Sequence, residues 1–234
     1  MSLYSKINKF LRKFPRPPFA DQNFWDKTYT QAPQGIEWGI EPGQMLRYSW
    51  TSVSKHEKKQ QTSTLAEFCP KTSKLLEIGC GSSMLGFLLA QEGWSDITAV
   101  DISPIAVHQC KQKAELMGIE NIDFLVADCR RLHTNFPPHS FDRIIDKGLV
   151  DALYCGGDPE NSMQHVFREA NRVLRPGGKM LSVQIEPLFG FLNDLRYAYI
   201  SEESRKEQWN VECRRLLPLS STAYFYIFTK QTDK

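Results

Sequence analysis

Leu75-Leu76-Glu77-Ile78-Gly79-Cys80-Gly81-Ser82-Ser83 is the stretch on which the fold turns. An apolar run, Lys74–Ile78, reads as a buried strand ended by Gly79. Ser83–Glu92 then shows helical spacing, with Leu85, Leu88 and Leu89 on one side. The G-x-G between them suits a tight strand-to-helix turn. Glycine takes positive φ freely and lets a ligand approach the backbone without meeting a Cβ. The dinucleotide-binding fingerprint requires a third glycine, but Met84 stands at that position. Glu77 points the same way, because a carboxylate just before the loop repels a pyrophosphate and suits a cationic or amine-bearing ligand. A dehydrogenase is therefore disfavoured.

Outward from this turn, strand-like and helix-like segments alternate. Ile97–Val100 is a second apolar run, closed by Asp101, and Pro104–Met117 suits a helix with proline in its first turn. Ile122–Ala127 is a third run, closed by Asp128, and Phe141–Ile145 a fourth, closed by Asp146. Glu160–Leu174 is helical and is stopped by Pro176-Gly177-Gly178. Lys179–Gln184 is a fifth run, and Val211–Arg214 with Ala223–Thr229 form a terminal antiparallel pair. Such alternation implies an α/β domain with a mostly parallel sheet and helices on both faces. Before it, residues 21–70 are aromatic and polar, with a helical pattern expected from Gln44 onward. The expected organisation is an N-terminal extension, 1–20, and one domain, 21–234.

The formal net charge of +2 is too small to imply a nucleic-acid partner. No apolar run reaches the roughly 20 residues that a membrane span needs. Cys69, Cys80, Cys110, Cys129, Cys155 and Cys213 include no C-x-x-C pair, and they read as reduced thiols. His108, His133, His139 and His165 lack metal-ligand spacing, so no metal site is expected.

In parallel sheets ligands bind outside the C-terminal strand ends. Asp101, Asp128 and Asp146 stand there in succession, which suits a ligand rich in hydroxyl and amine donors. Asp101 lies 22 positions after Gly79, where an acid accepts from ribose hydroxyls. Asp128 is placed to meet the exocyclic amine of adenine, with Ile102 and Cys129 flanking the ring. S-adenosylmethionine (SAM) carries an amino group, a sulfonium and no phosphate, and it fits this set.

The pattern E-x-G-x-G, followed by an aspartate at each of the next two strands, resembles the class I, seven-strand SAM-dependent methyltransferases. The resemblance covers Leu75 to Lys230 and implies their Rossmann-like fold. A narrower resemblance rests on Phe24-Trp25-Asp26-Lys27-Thr28-Tyr29, Ile36-Glu37-Trp38 and Asp146-Lys147-Gly148-Leu149-Val150-Asp151-Ala152-Leu153. These are similar to protein-lysine methyltransferases of elongation factor 1-alpha and of mitochondrial citrate synthase. That resemblance adds Trp25, Tyr29, Trp38 and Lys147 to the cofactor site formed by Glu77, Gly79, Cys80, Gly81, Asp101, Ile102, Asp128 and Cys129. Leu149 stands where that subgroup has threonine, and Ser82 where asparagine is common.

A lysine acceptor must lose a proton before it attacks, at a cost of roughly 4 kcal/mol near neutral pH. Water suffices as proton sink if the site holds the amine neutral. Asp146 and Asp151 are the candidates for orienting it, and Asp151 equally suits a helix cap. The expected acceptor is a protein, citrate synthase first and elongation factor 1-alpha second, and the enzyme is expected to be a monomer. Small-molecule methylation and a non-catalytic SAM-binding scaffold are the alternatives.

Residues 3–16 place Leu3, Ile7, Phe10, Leu11 and Phe14 on one helical face and Lys6, Lys9, Arg12, Lys13 and Arg16 on the other. No acid precedes Asp21. That is the physical signature of a mitochondrial presequence, which implies the matrix; a surface helix on a cytoplasmic protein is the alternative.

Overall fold

A computed structural model describes residues 17–52, 60–184, 209–217 and 223–232. The amphipathic pattern at 3–16 lies outside these residues. The elements, in order, are α1 (Gln22–Gln31), α2 (Pro42–Leu46), β1 (Arg47–Ser52), β2 (Gln61–Thr64), β3 (Leu75–Ile78), α3 (Leu85–Gln91), β4 (Ile97–Asp101) and α4 (Pro104–Met117). They continue with β5 (Ile122–Val126), β6 (Phe141–Lys147), α5 (Leu149–Cys155), α6 (Pro159–Val173), β7 (Leu174–Gln184), β8 (Trp209–Leu217) and β9 (Tyr224–Lys230).

Local chemistry explains the helix starts. The Asp21 side chain accepts from the Asn23 amide at the head of α1, and the Ser103 side chain from the Ala106 amide at the head of α4. Pro104 and Pro159 occupy first turns, where a missing N–H costs nothing. Gly118, at φ 65°, closes α4 in the left-handed region.

The strands form one sheet in the order β2-β1-β8-β9-β7-β6-β3-β4-β5. Strands β5, β4, β3, β6 and β7 pair in parallel, while β9, β8, β1 and β2 pair antiparallel. The expected seven-strand sheet is therefore present from β8 to β5, and β1 and β2 extend it to nine. The helical pattern expected from Gln44 onward is corrected: the α-helix Pro42–Leu46 ends there, and Arg47–Ser52 is a strand. Burial of Tyr48 and Trp50 at alternate positions fixes that strand against the sheet. Pro176-Gly177-Gly178 also lies within β7 rather than before it.

Alternation builds a core on each face. Leu75, Ile145, Leu181, Phe225 and Ile227 pack on one side with Phe87 and Val107. Leu76, Ile78, Ile144, Met180, Tyr226 and Phe228 pack on the other with Val166 and Phe167 of α6. The strand order reverses between β3 and β6, so their C-terminal ends open a crevice.

Phe225 joins the added strands to the core. It is fully buried, with its ring 4.9 Å from Tyr48 and 6.3 Å from Phe68. Phe225→Ala leaves a cavity at that junction and is expected to cost about 3–5 kcal/mol. Urea unfolding of the variant beside the wild type measures this.

Candidate active site

The crevice holds a largely apolar cavity of about 230 Å³. The turn after β3 supplies its floor. Gly79 and Gly81 take φ of 63° and 52°, and a Cβ on Gly81 would stand 2.5 Å from the Tyr29 hydroxyl. A Cβ on Gly79 would stand 2.8 Å from the Cβ of Leu149. Glycine is thus required at both positions, by backbone conformation and by close approach.

Asp101, at the end of β4, is 6% exposed and lines the cavity. Its two oxygens accept from the amides of Gly81 (2.9 Å) and Ser103 (2.9 Å). Burial pushes its carboxyl up to about 6, against the pull of these donors, and the nearby Asp26 adds to the rise. Ser103 in turn donates to Asp26 of α1 at 2.5 Å. Ile102 lies beside Asp101 on the cavity wall.

Asp128 and Cys129, beyond β5, line the same wall. Arg130 grips Asp128 through Nε and a terminal nitrogen, at 2.8 Å each to the two oxygens, and also donates to the Ala20 carbonyl at 3.0 Å. Burial holds the Cys129 thiol far above its ordinary value.

The segment before the sheet closes the cavity. Trp25 stacks between Phe19 (5.6 Å) and Tyr29 (5.8 Å), and its indole nitrogen donates to the Phe19 carbonyl. Burial, with Asp101 nearby, raises the Tyr29 phenol far above its ordinary value, so it remains a neutral hydroxyl. Lys147, at the end of β6, donates to Glu37 (2.5 Å) and to the Trp38 carbonyl (2.6 Å). Glu37 also accepts from the Ser83 hydroxyl and the Met84 amide. Ser82 accepts from the Ile36 amide at 2.8 Å.

The residues expected from the sequence divide in two. Trp25, Tyr29, Trp38, Gly79, Asp101, Ile102, Asp128, Cys129, Lys147 and Asp151 all face the cavity. Glu77, Cys80 and Gly81 form the layer beneath it. Glu77 is 3% exposed, its oxygen lies against Gly86 of α3, and burial pushes its carboxyl up to about 8. Cys80 is buried, and Gly81 receives the Cys110 thiol on its carbonyl. Asp146 departs from the expectation that it stands beside an acceptor. It is wholly buried and accepts from Leu149 and Val150 amides, Ser182 and Gln184, which makes it the anchor of α5. Burial raises its carboxyl to about 6.

Glu37, which holds Lys147, and Arg130, which holds Asp128, belong to the candidate site without a mark in the sequence. Ile36-Glu37-Trp38 carries no local sign that Glu37 meets Lys147. Arg130 directly follows the Asp128-Cys129 pair, and no local pattern marks it.

The donor set fits SAM. Asp101 and Asp128 offer acceptors for hydroxyl and amine groups, and aromatic and apolar walls suit a nucleoside. Lys147 and Arg130, cations that line the cavity, have their charges met by Glu37 and Asp128. Fold and site together define a class I SAM-dependent methyltransferase.

Comparison with known proteins gives the family. The methyltransferase domain family matches residues 70–231, and the chain belongs to it. An eEF1A lysine and N-terminal methyltransferase homolog of Drosophila melanogaster is 28% identical over 186 residues, 76% of this chain and 24% of its own. EEF1A lysine methyltransferase 4 of Mus musculus is 33% identical over 125 residues, 50% of this chain and 47% of its own. The mitochondrial citrate synthase-lysine N-methyltransferase of Danio rerio is 28% identical over 173 residues, 69% of this chain and 65% of its own. The match thus spans a quarter to about half the length of the first two relatives. Among solved structures, a SAM-dependent methyltransferase of Methanosarcina mazei superposes with a TM-score of 0.53 at 17% identity, covering 73% of this chain and 97% of that one. The cyclase SpnF gives 0.59 at 15% identity, covering 94% and 99%. At such identities these two speak for the fold alone.

The Asp101 carboxyl gives a pH signature. Ribose hydroxyls donate to the carboxylate form, so bound cofactor holds this group below its free value of about 6. Affinity is therefore expected to fall as pH drops through about 6, by up to about tenfold per unit, and to level off above it. Calorimetry with S-adenosylhomocysteine from pH 5 to 7.5 measures the slope, and Asp101→Asn is expected to flatten it while weakening binding.

Proposed function

We propose that this methyltransferase is a protein-lysine N-methyltransferase. One observation supports this reading above the others. Trp25, Trp38, Lys147 and Asp151, the residues of the narrower resemblance to such enzymes, line one cavity although they come from distant parts of the chain. Three relatives named for lysine methylation are consistent with it.

SAM supplies a methyl group activated on a sulfonium, and transfer to the amine is an in-line displacement. The protein's part is positioning and exclusion of water. Gly79 and the Asp101 and Asp128 carboxylates hold the nucleoside side. The aromatic cover of Trp25 and Tyr29 limits water. Asp151, in the first turn of α5, is the carboxylate on the cavity wall that orients an approaching amine. Asp146 acts one step removed, by fixing the start of α5. Water takes the proton.

Citrate synthase is the first candidate acceptor and elongation factor 1-alpha the second. The basic, acid-free residues 1–18 support a mitochondrial location, as does the mitochondrial relative. Among the described residues Phe19 and Ala20 are the first that line the cavity, so a presequence would end before them.

Full-length protein incubated with methyl-labelled SAM and each candidate is expected to place label on lysine, as read by mass spectrometry of the tryptic peptides. Label found only on small molecules or nucleic acid would overturn the proposal. Residues 1–18 fused to a fluorescent protein are expected to direct it to mitochondria; a diffuse cytosolic signal would put elongation factor 1-alpha first.

A further inference from the structure

We infer that the indole face of Trp38 is the surface that receives the acceptor lysine, rather than a wall of the cofactor site; this rests on the protein-lysine reading. The first observation is exposure. Trp38 is 45% exposed, and among the described residues it is the aromatic ring left open to solvent. Trp25 and Tyr29, its neighbours on the cavity, are half-buried and buried. Burying such a ring is worth a few kcal/mol in a fold, and Trp38 forgoes much of that gain.

The second observation is rigidity. The Trp38 carbonyl receives the Lys147 ammonium, and the preceding Glu37 receives the same ammonium, the Ser83 hydroxyl and the Met84 amide. The Trp25 ring meets Trp38 edge-on at 6.0 Å and 82°. The backbone beneath the exposed ring is thus tied at several points, as a binding platform requires.

The third observation is place. The Trp38 Cβ lies 3.8 Å from where a Cβ on Gly148 would stand, at the junction of β6 and α5. Asp101 and Asp128 follow β4 and β5, and the sheet order runs β6-β3-β4-β5. At about 4.8 Å per strand, Trp38 and Asp128 are served by strands roughly 14 Å apart. A nucleoside held by Asp101 and Asp128 therefore directs its far end, which bears the methyl, toward Gly79 and Gly148. Trp38 and Asp151 flank that end of the cavity.

The chemistry suits an alkylammonium. A tryptophan face is the strongest aromatic partner for such a cation, and the attraction grows as water leaves. Asp151 adds a carboxylate on the same wall. Because the ring favours the protonated amine, it helps capture of the acceptor and does not help its deprotonation. In transfer itself, the amine lone pair forms the N–C bond, the C–S electrons stay on sulfur, and the amine proton passes to water. The benefit of Trp38 falls on acceptor binding alone, and methylated lysines are held by the same face.

The test compares full-length wild type, Trp38→Phe and Trp38→Ala. Initial rates of methyl-lysine formation, with labelled SAM and dilute cell extract as acceptor, are read by acid hydrolysis and amino-acid analysis. Affinity for S-adenosylhomocysteine is measured in parallel by calorimetry. Trp38→Ala is expected to slow the reaction by about fivefold or more, and Trp38→Phe by about twofold. Affinity for S-adenosylhomocysteine is expected to stay within about twofold in both, which also shows that the site remains folded. An unchanged rate in Trp38→Ala, or affinity that falls in step with rate, would overturn the inference. Absence of methyl-lysine with the wild type overturns the protein-lysine reading itself, and this inference with it.

Discussion

The Asp101 carboxylate joins four parts of the chain at one buried point. One oxygen receives the amide of Gly81, which sets the turn after β3; the other receives the amide of Ser103, which caps α4. The Ser103 hydroxyl then reaches Asp26, so α1 is tied to the same point. A carboxylate buried this deeply is costly unless its lone pairs are met, and the donors here are chiefly backbone amides that cannot be moved without moving the turn. The rest of the site inherits its geometry from this arrangement. The glycine turn is held open, the head of α4 is fixed, and the aromatic cover is brought across the crevice.

Two further contacts attach the same N-terminal cover to other strand ends. Lys147 on Glu37 and Trp38 fastens it to β6, and Arg130 on Ala20 fastens it to the loop after β5. Among the described residues, the loops after β4, β5 and β6 thus each have a tie to residues 20–38. The cover is therefore part of the site and not a separate appendage, which accounts for the clustering of aromatic rings in a segment that contributes no strand to the parallel half of the sheet.

Much of this architecture is readable from sequence, and the reasons are physical. Strands β3, β4 and β6 are largely buried runs because both faces are covered, and each announces its end with glycine or an acid. Helices α4 and α6 carry proline in their first turns and side-chain caps. The region before Leu75 is less legible. In α1, the rings of Phe24, Trp25 and Tyr29 pack on one another and on the cavity rather than on a sheet, so no apolar stripe emerges. In β1 the alternation of Tyr48 and Trp50 is genuine but brief, and the turn of helix before it obscures the change of period. Glu37 and Arg130 escape for another reason. Glu37 meets Lys147 and Arg130 meets the Ala20 carbonyl across 110 residues each, and pattern within a window cannot register a contact made by folding. Asp146 shows the converse: an acid in the expected place, whose neighbours Ser182 and Gln184 come from the adjacent strand and take up its charge.

The two rims of the sheet are guarded unequally. At one end β1 covers β8, and the final strand is the short, polar Gln61-Thr62-Ser63-Thr64, a poor template for a stray chain. At the other end β5 is the terminal strand, and Leu125 and Val126 stand 37% and 48% exposed on it, with Leu116 of α4 also open. Only Asp123 places a charge within that strand. Self-association under concentrated or heated conditions therefore has a preferred starting line along Ile122–Val126. The two added strands have already relieved the antiparallel half of the same hazard.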